Sequence, residues 1–167
     1  MAVCVFLSAC NTATPENYFD RAVLNSNSFA DFASEGMQRQ LDQPSAKMVN
    51  GDVNHPVPMK RKEIMDDKIM FLEEDLGKLK GLKETAETRE MLQTSIALHE
   101  YVLKVYKNEY MQLAKLYDDV GGVEEIEAAN QAIHDKYYDR FDELYKKLIS
   151  IGKLYASKHN IKVDWRI

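Results

Sequence analysis

The sequence predicts an all-α protein, an elongated up-down-up-down four-helix bundle. Three observations carry this. Apolar residues recur at alternating spacings of four and three over long stretches, which is the seam of a bundle helix. Capping and glycine signals divide those stretches into four helical segments. No apolar/polar alternation of the kind expected for a half-buried strand competes with them.

The first helix opens at Thr14-Pro15-Glu16-Asn17. Thr is a good N-cap, Pro suits the first helical position, and an acid in the first turn complements the helix dipole. Tyr18, Ala22, Asn25, Phe29, Phe32 and Leu41 then share roughly one face, ending before Pro44. The Asn25-Ser26-Asn27-Ser28 stretch is poor in helix formers and makes this the weakest segment. Asp42 to Met59, with Pro44, Gly51, Pro56 and Pro58, reads as a long loop. The second helix carries Met65, Ile69, Leu72, Leu76 and Leu79 at 4-3-4-3 spacing and stops near Gly81.

The third helix has the clearest seam: Leu92, Ile96, His99, Leu103, Tyr106, Tyr110, Leu113 and Tyr117. Asp118 to Gly122 breaks it, with Gly121-Gly122 expected to form the turn. The fourth runs from Val123 toward His159 through Ile126, Asn130, Ile133, Tyr137, Phe141, Leu144, Leu148, Ile151 and Tyr155. At about 1.5 Å per residue, these last two helices should each extend roughly 50 Å. Short turns make antiparallel neighbours, so the Asp42–Met59 loop and Gly121-Gly122 are expected at one tip of the bundle.

Composition narrows the function. The 167 residues suffice for one domain, and 45% hydrophobic with 29% charged residues is ordinary for a globular protein. A net charge of −5 argues against nucleic acid as a partner, because phosphate binding needs a basic footprint. Both cysteines, Cys4 and Cys10, lie in the first ten residues, which excludes a disulfide framework. No apolar run approaches the roughly 20 residues of a membrane-spanning helix.

The opening segment carries a family resemblance. Ala2 to Ala9 is an uncharged run of small and apolar residues ending in Leu7-Ser8-Ala9-Cys10, with polar Asn11-Thr12-Ala13-Thr14 after it. Leu7-Ser8-Ala9-Cys10 resembles the bacterial lipobox, and the resemblance implies cleavage before Cys10 and diacylglycerol on its thiol. A secretory signal also has a basic n-region, which is missing, so Met1 reads as an internal or truncated start. Residues 1–9 are then a signal remnant, 10–14 a lipidated linker and 15–167 a single helical domain. As a whole, the chain is similar to uncharacterised helical surface lipoproteins of bacteria such as Bacteroidetes and spirochaetes. This implies a lipid-anchored place in the cell envelope, at the outer membrane or cell surface, with two or three acyl chains making a stable anchor. The alternative is an ordinary buried N-terminal segment with two inert thiols.

No catalytic constellation emerges. No histidine stands in a Glu-x-x-His pair; only Asp52-x-x-His55 comes close, in the loop. There is no His-x-x-x-His, no Cys-x-x-Cys-His, no Gly-x-Ser-x-Gly and no phosphate-binding glycine loop. The expectation is a non-enzymatic protein with no metal and no cofactor, which binds or scaffolds an envelope protein or glycan. His99, Tyr106, Tyr110 and Asn130 are candidates for a polar pocket inside the bundle, which would make the chain a small-ligand or metal carrier; the plainer reading of His99 is a core histidine with a hydrogen-bond partner. All but one of the nine tyrosines lie on the third and fourth helices, either as core residues with wet hydroxyls or as an aromatic groove for sugars or peptides. Lys60-Arg61-Lys62 is a candidate partner contact beside the distal loop, or a solvated triad offset by Glu63, Asp66 and Asp67. Trp165 is a candidate membrane-interface contact, or simply closes the base of the bundle. An unrecognised envelope enzyme is the remaining alternative.

Overall fold

The computed structural model describes residues 13–49 and 52–165. Cys10 and the proposed signal remnant and linker up to residue 12 lie outside the described residues. The chain is mostly helical, with one small antiparallel two-stranded sheet. Its elements are α1 (Pro15–Ala22), a 3-10 segment (Leu24–Phe29), α2 (Glu35–Asp42), β1 (Ala46–Val49), β2 (Asp52–Pro58), α3 (Arg61–Lys80), α4 (Arg89–Val105), a π-helical turn (Tyr106–Tyr110), α5 (Met111–Asp118) and α6 (Val123–Lys158).

The predicted first helix is three pieces. Thr14 caps α1 as expected, its hydroxyl accepting from the Asn17 N–H at 3.3 Å. The Asn/Ser stretch then breaks the helix because its side chains take over backbone carbonyls. Ser26 Oγ donates to Val23 O at 2.6 Å and Ser28 Oγ to Asn25 O at 2.8 Å. Ala33 follows with φ 51°, and Ser34 caps α2 through the Gly36 N–H at 3.1 Å.

The Asp42–Met59 loop is corrected to a hairpin, with Ala46 opposite Pro58 and Val49 opposite Asp52. Neither strand shows buried alternation, since β1 is exposed apart from a half-buried Lys47. The Met59 N–H donates to Ser45 O at 2.8 Å, so the alternate positions Pro56 and Pro58 face the outer edge. Prolines there remove the donors by which another strand could pair. Lys47 Nζ pairs with Glu63, fastening the hairpin to the start of α3.

Helix α3 has the predicted seam, burying Met65, Leu72, Leu76 and Leu79. The rod from α4 through the π turn to α5 is continuous, and it packs against α3 and α6. Helix α5 ends in a Schellman motif: Gly121 N–H donates to Leu116 O (2.9 Å) and Val120 N–H to Tyr117 O (3.3 Å). The left-handed residue is Val120, at φ 59°, and not a glycine. Helix α6 ends the same way, with His159 as cap and Asn160 at φ 56°.

One hydrophobic core joins all the helices. Phe32, fully buried, sits at its aromatic centre: its ring lies 4.8 Å from Phe141, 5.9 Å from Tyr106 and 6.1 Å from Tyr110. At the far end Gly152 lets α1 close on α6, where a Cβ would come within 2.9 Å of Val23.

Candidate functional site

Ala33 is the residue from which the site is built. A left-handed backbone costs an alanine roughly 1–2 kcal/mol and persists only where surroundings hold it. Here both polar groups of Ala33 are held. Its N–H donates to the Tyr110 hydroxyl at 3.1 Å, and its carbonyl accepts from His134 Nδ1 at 2.7 Å. Tyr110 comes from the π turn, a form of helix that often marks functional positions. His134 comes from α6.

Between the Asp31–Arg39 segment and the first half of α6 lies a cleft of about 750 Å³, lined by Tyr110, Asn130, Gln131, His134 and Tyr138 among others. That volume falls within the range of small-molecule sites, about 300–1,000 Å³. The Tyr138 ring stacks on His134 with centroids 4.9 Å apart and planes 24° from parallel.

The lining groups have defined hydrogen-bonding states. A carbonyl can only accept, so His134 Nδ1 carries the proton and, in the neutral ring, Nε2 is an acceptor. Burial pushes the Tyr110 phenol well above its ordinary value, so its hydroxyl stays protonated. Its oxygen already accepts from Ala33, which leaves one proton to donate. Asn130 spends its amide N–H groups on Ile126 O (3.1 Å) and the Tyr117 hydroxyl (3.3 Å), and Gln131 donates to Asp135 at 2.7 Å. Both amides therefore keep their carbonyl oxygens as acceptors.

Charge at the cleft is compensated in part: the Glu127 carboxylate in its wall has no ion-pair partner among the described residues, whereas the other charged groups are engaged. Glu35 lies 3.7 Å from Arg39. Asp31 accepts from Gln40 Nε2 at 3.0 Å and faces the Lys68 ammonium, which burial lowers and the Asp31 carboxylate draws back up. Gly36 makes room for Asp31, since a Cβ there would meet its carboxylate at 2.5 Å. Among the described residues, no group of three or more His, Cys, Asp and Glu side chains is arranged to hold a metal.

The predicted pocket residues are thus divided. Half-buried Asn130 lines the cleft and Tyr110, buried in the core, reaches its wall, whereas His99 and Tyr106 lie in the core away from it. His99 is fully buried, donating Nδ1–H to Ser95 O at 2.8 Å and meeting the Phe29 ring edge-on at 4.9 Å. Among the described residues, its Nε2 has no hydrogen-bond partner. Tyr106 packs against Tyr110 and Phe32, and burial pushes its phenol far up.

Of the basic triad, Arg61 is engaged within the protein. Its Nε donates to Leu41 O at 2.9 Å and its guanidinium lies 5.5 Å above the Tyr117 ring. Tyr117 in turn donates to Asp42 at 2.7 Å, and burial together with that carboxylate pushes its phenol up to about 12. A chain of contacts therefore runs from Arg61 through Tyr117 to Asn130. Lys60 and Lys62 are exposed, Lys62 paired with Asp66. Trp165 meets Phe19 edge-on at 5.8 Å, with Lys153 Nζ 5.4 Å from its ring centre, and so packs on the helical core.

His134 and Ala33 escaped the sequence reading. His134 adjoins the seam residue Ile133 and is a surface position, exposed in the structure, but nothing in the sequence marks its bond to Ala33 or an alanine for a left-handed backbone. No family model matches this chain, and neither a curated protein nor a solved structure is significantly similar to it.

Proposed function

We propose that this chain is a lipid-anchored, non-enzymatic binding protein of the bacterial cell envelope, which receives a small polar solute in the cleft beneath Ala33. The observation that carries the binding role is the grip on Ala33. A strained residue is held from both sides by Tyr110 and His134, and the two groups that hold it also line the cleft. In this reading the helices form an up-down-up-down bundle whose first member is α1 with α2, followed by α3, the α4–α5 rod and α6.

The lipid anchor rests on Leu7-Ser8-Ala9-Cys10 and on the short spacing from Cys10 to Pro15. Helix α1 lies against the last turns of α6 around Gly152 and against the α3–α4 turn, where the Tyr18 hydroxyl donates to Lys83 O at 2.7 Å. His134 stands 18 residues up α6 from Gly152, roughly 27 Å at the helical rise. A lipid on Cys10 would leave the cleft directed away from the bilayer.

Two measurements test the two halves. Mass spectrometry of the mature N-terminus from bacterial membranes should find diacylglyceryl Cys10; a chain retaining Leu7-Ser8-Ala9 with a free thiol would contradict the anchor. A thermal-shift screen of the full chain against water-soluble metabolites should find a ligand that stabilises the wild type and not His134→Ala. Equal stabilisation of both proteins by every ligand found would contradict the cleft as the binding site.

A further inference from the structure

Taking the cleft to be a ligand site, as in the preceding reading, we propose that its ligand is a neutral, hydroxyl-rich unit: a mono- or disaccharide. The inference comes from matching what the cleft offers with what a ligand must supply. His134 Nε2 and the carbonyl oxygens of Asn130 and Gln131 are acceptors left open while N–H groups of the same side chains donate within the protein. Tyr110 contributes one hydroxyl proton. The cleft is therefore rich in acceptors and holds at least one donor.

Other ligand classes fit this set poorly. A phosphate or carboxylate would face the His134, Asn130 and Gln131 acceptors with no proton to give them. An ammonium could serve the acceptors and the Glu127 carboxylate but has no lone pair for the Tyr110 proton. An apolar ligand would cover these groups without pairing them, at about 1–3 kcal/mol for each one it takes out of water. A hydroxyl both donates and accepts, so a run of hydroxyls on one ring satisfies both kinds of group. The stacked Tyr138 and His134 rings add an aromatic surface against which the C–H face of a pyranose can pack.

Protein-observed ¹H–¹⁵N NMR of the full chain tests this, with maltose, cellobiose and N,N′-diacetylchitobiose added in turn, then spermidine and inorganic phosphate. At least one disaccharide should shift the amides of Ala33, Ser34, Gln38, Asn130 and His134 saturably. Tyr138→Ala, and Gln38→Ala in the α2 wall of the cleft, should each weaken that binding by about five- to ten-fold, corresponding to a single packing contact or hydrogen bond. Both variants should retain the wild-type spectrum away from the cleft. If spermidine or phosphate shifts these amides and no disaccharide does, the saccharide assignment is overturned while the cleft stands as a ligand site. If no probe shifts them, or the disaccharides act only elsewhere on the molecule, the saccharide assignment is overturned as well. The metabolite screen with His134→Ala then decides the cleft itself.

Discussion

The carbonyl of Ala33 accepts from Nδ1 of His134 across 2.7 Å, joining residues 101 positions apart in the chain. This bond fixes which imidazole nitrogen carries the proton, and with Tyr110 it secures a left-handed alanine between the 3-10 segment and α2. Backbone strain and side-chain chemistry are thereby coupled at the same cleft.

Ala33 should tolerate glycine and reject valine. Ala33→Gly loses a buried methyl but relieves the left-handed backbone, so urea denaturation should change by less than about 1 kcal/mol. Ala33→Val places a β-branched residue in the same backbone region within a packed core, and should cost about 2–3 kcal/mol. A valine variant as stable as the wild type would contradict the left-handed assignment.

Val120 offers a stabilising change. It sits at φ 59° in the Schellman motif after α5, and its side chain is 89% exposed, so little packing is lost with it. Val120→Gly should raise stability by about 1 kcal/mol, measured by thermal or urea unfolding. A destabilised variant would show that this turn is formed differently.

Asp118 links two helices. Its carboxylate accepts from the Arg61 and Lys62 N–H groups at 2.9 and 3.0 Å, satisfying the start of α3 from the end of α5. Asp118→Ala should cost about 1–2 kcal/mol in chemical denaturation, and Asp118→Asn less, since the amide oxygen can still accept one of the two bonds. A neutral alanine variant would contradict the cap.

His99 should make the protein acid-sensitive. Burial holds its imidazole below the ordinary value, with the Ser95 carbonyl opposing in part. The unfolded chain, whose histidine titrates near about 6.5, therefore takes up the proton first as pH falls. Stability is fully present above that pH and declines as pH drops from there toward the folded-state value. His99→Leu removes the proton site, so its urea-denaturation midpoint should fall less than the wild type's between pH 7.5 and 5.5. Parallel declines would contradict the assignment.

The long helices were legible because each buries one continuous stripe: the seams of α3 and α6 are the residues that pack. The hairpin was not, since its strands leave both faces largely in solvent and so lack alternation. The dipeptide Asn50-Gly51 is a hairpin signal, but the sequence has no alternating apolar runs on either side of it. The broken first helix was foreshadowed by Asn25 to Ser28, whose hydroxyls compete for backbone carbonyls. Of the cleft, Tyr110 and Asn130 were visible as polar residues on apolar seams. His99 and Tyr106 share that pattern yet lie away from the cleft, because seam position alone does not say whether a polar group faces a cavity or a packed neighbour.

The relation between Ala33 and His134 can be observed directly by long-range ¹H–¹⁵N NMR of the histidine rings, with His134→Gln to assign the signals. The account predicts that neutral His134 carries its proton on Nδ1, leaving Nε2 unprotonated. A ring protonated on Nε2, or an equal mixture of the two tautomers, would contradict both the grip on Ala33 and the acceptor that the cleft offers its ligand.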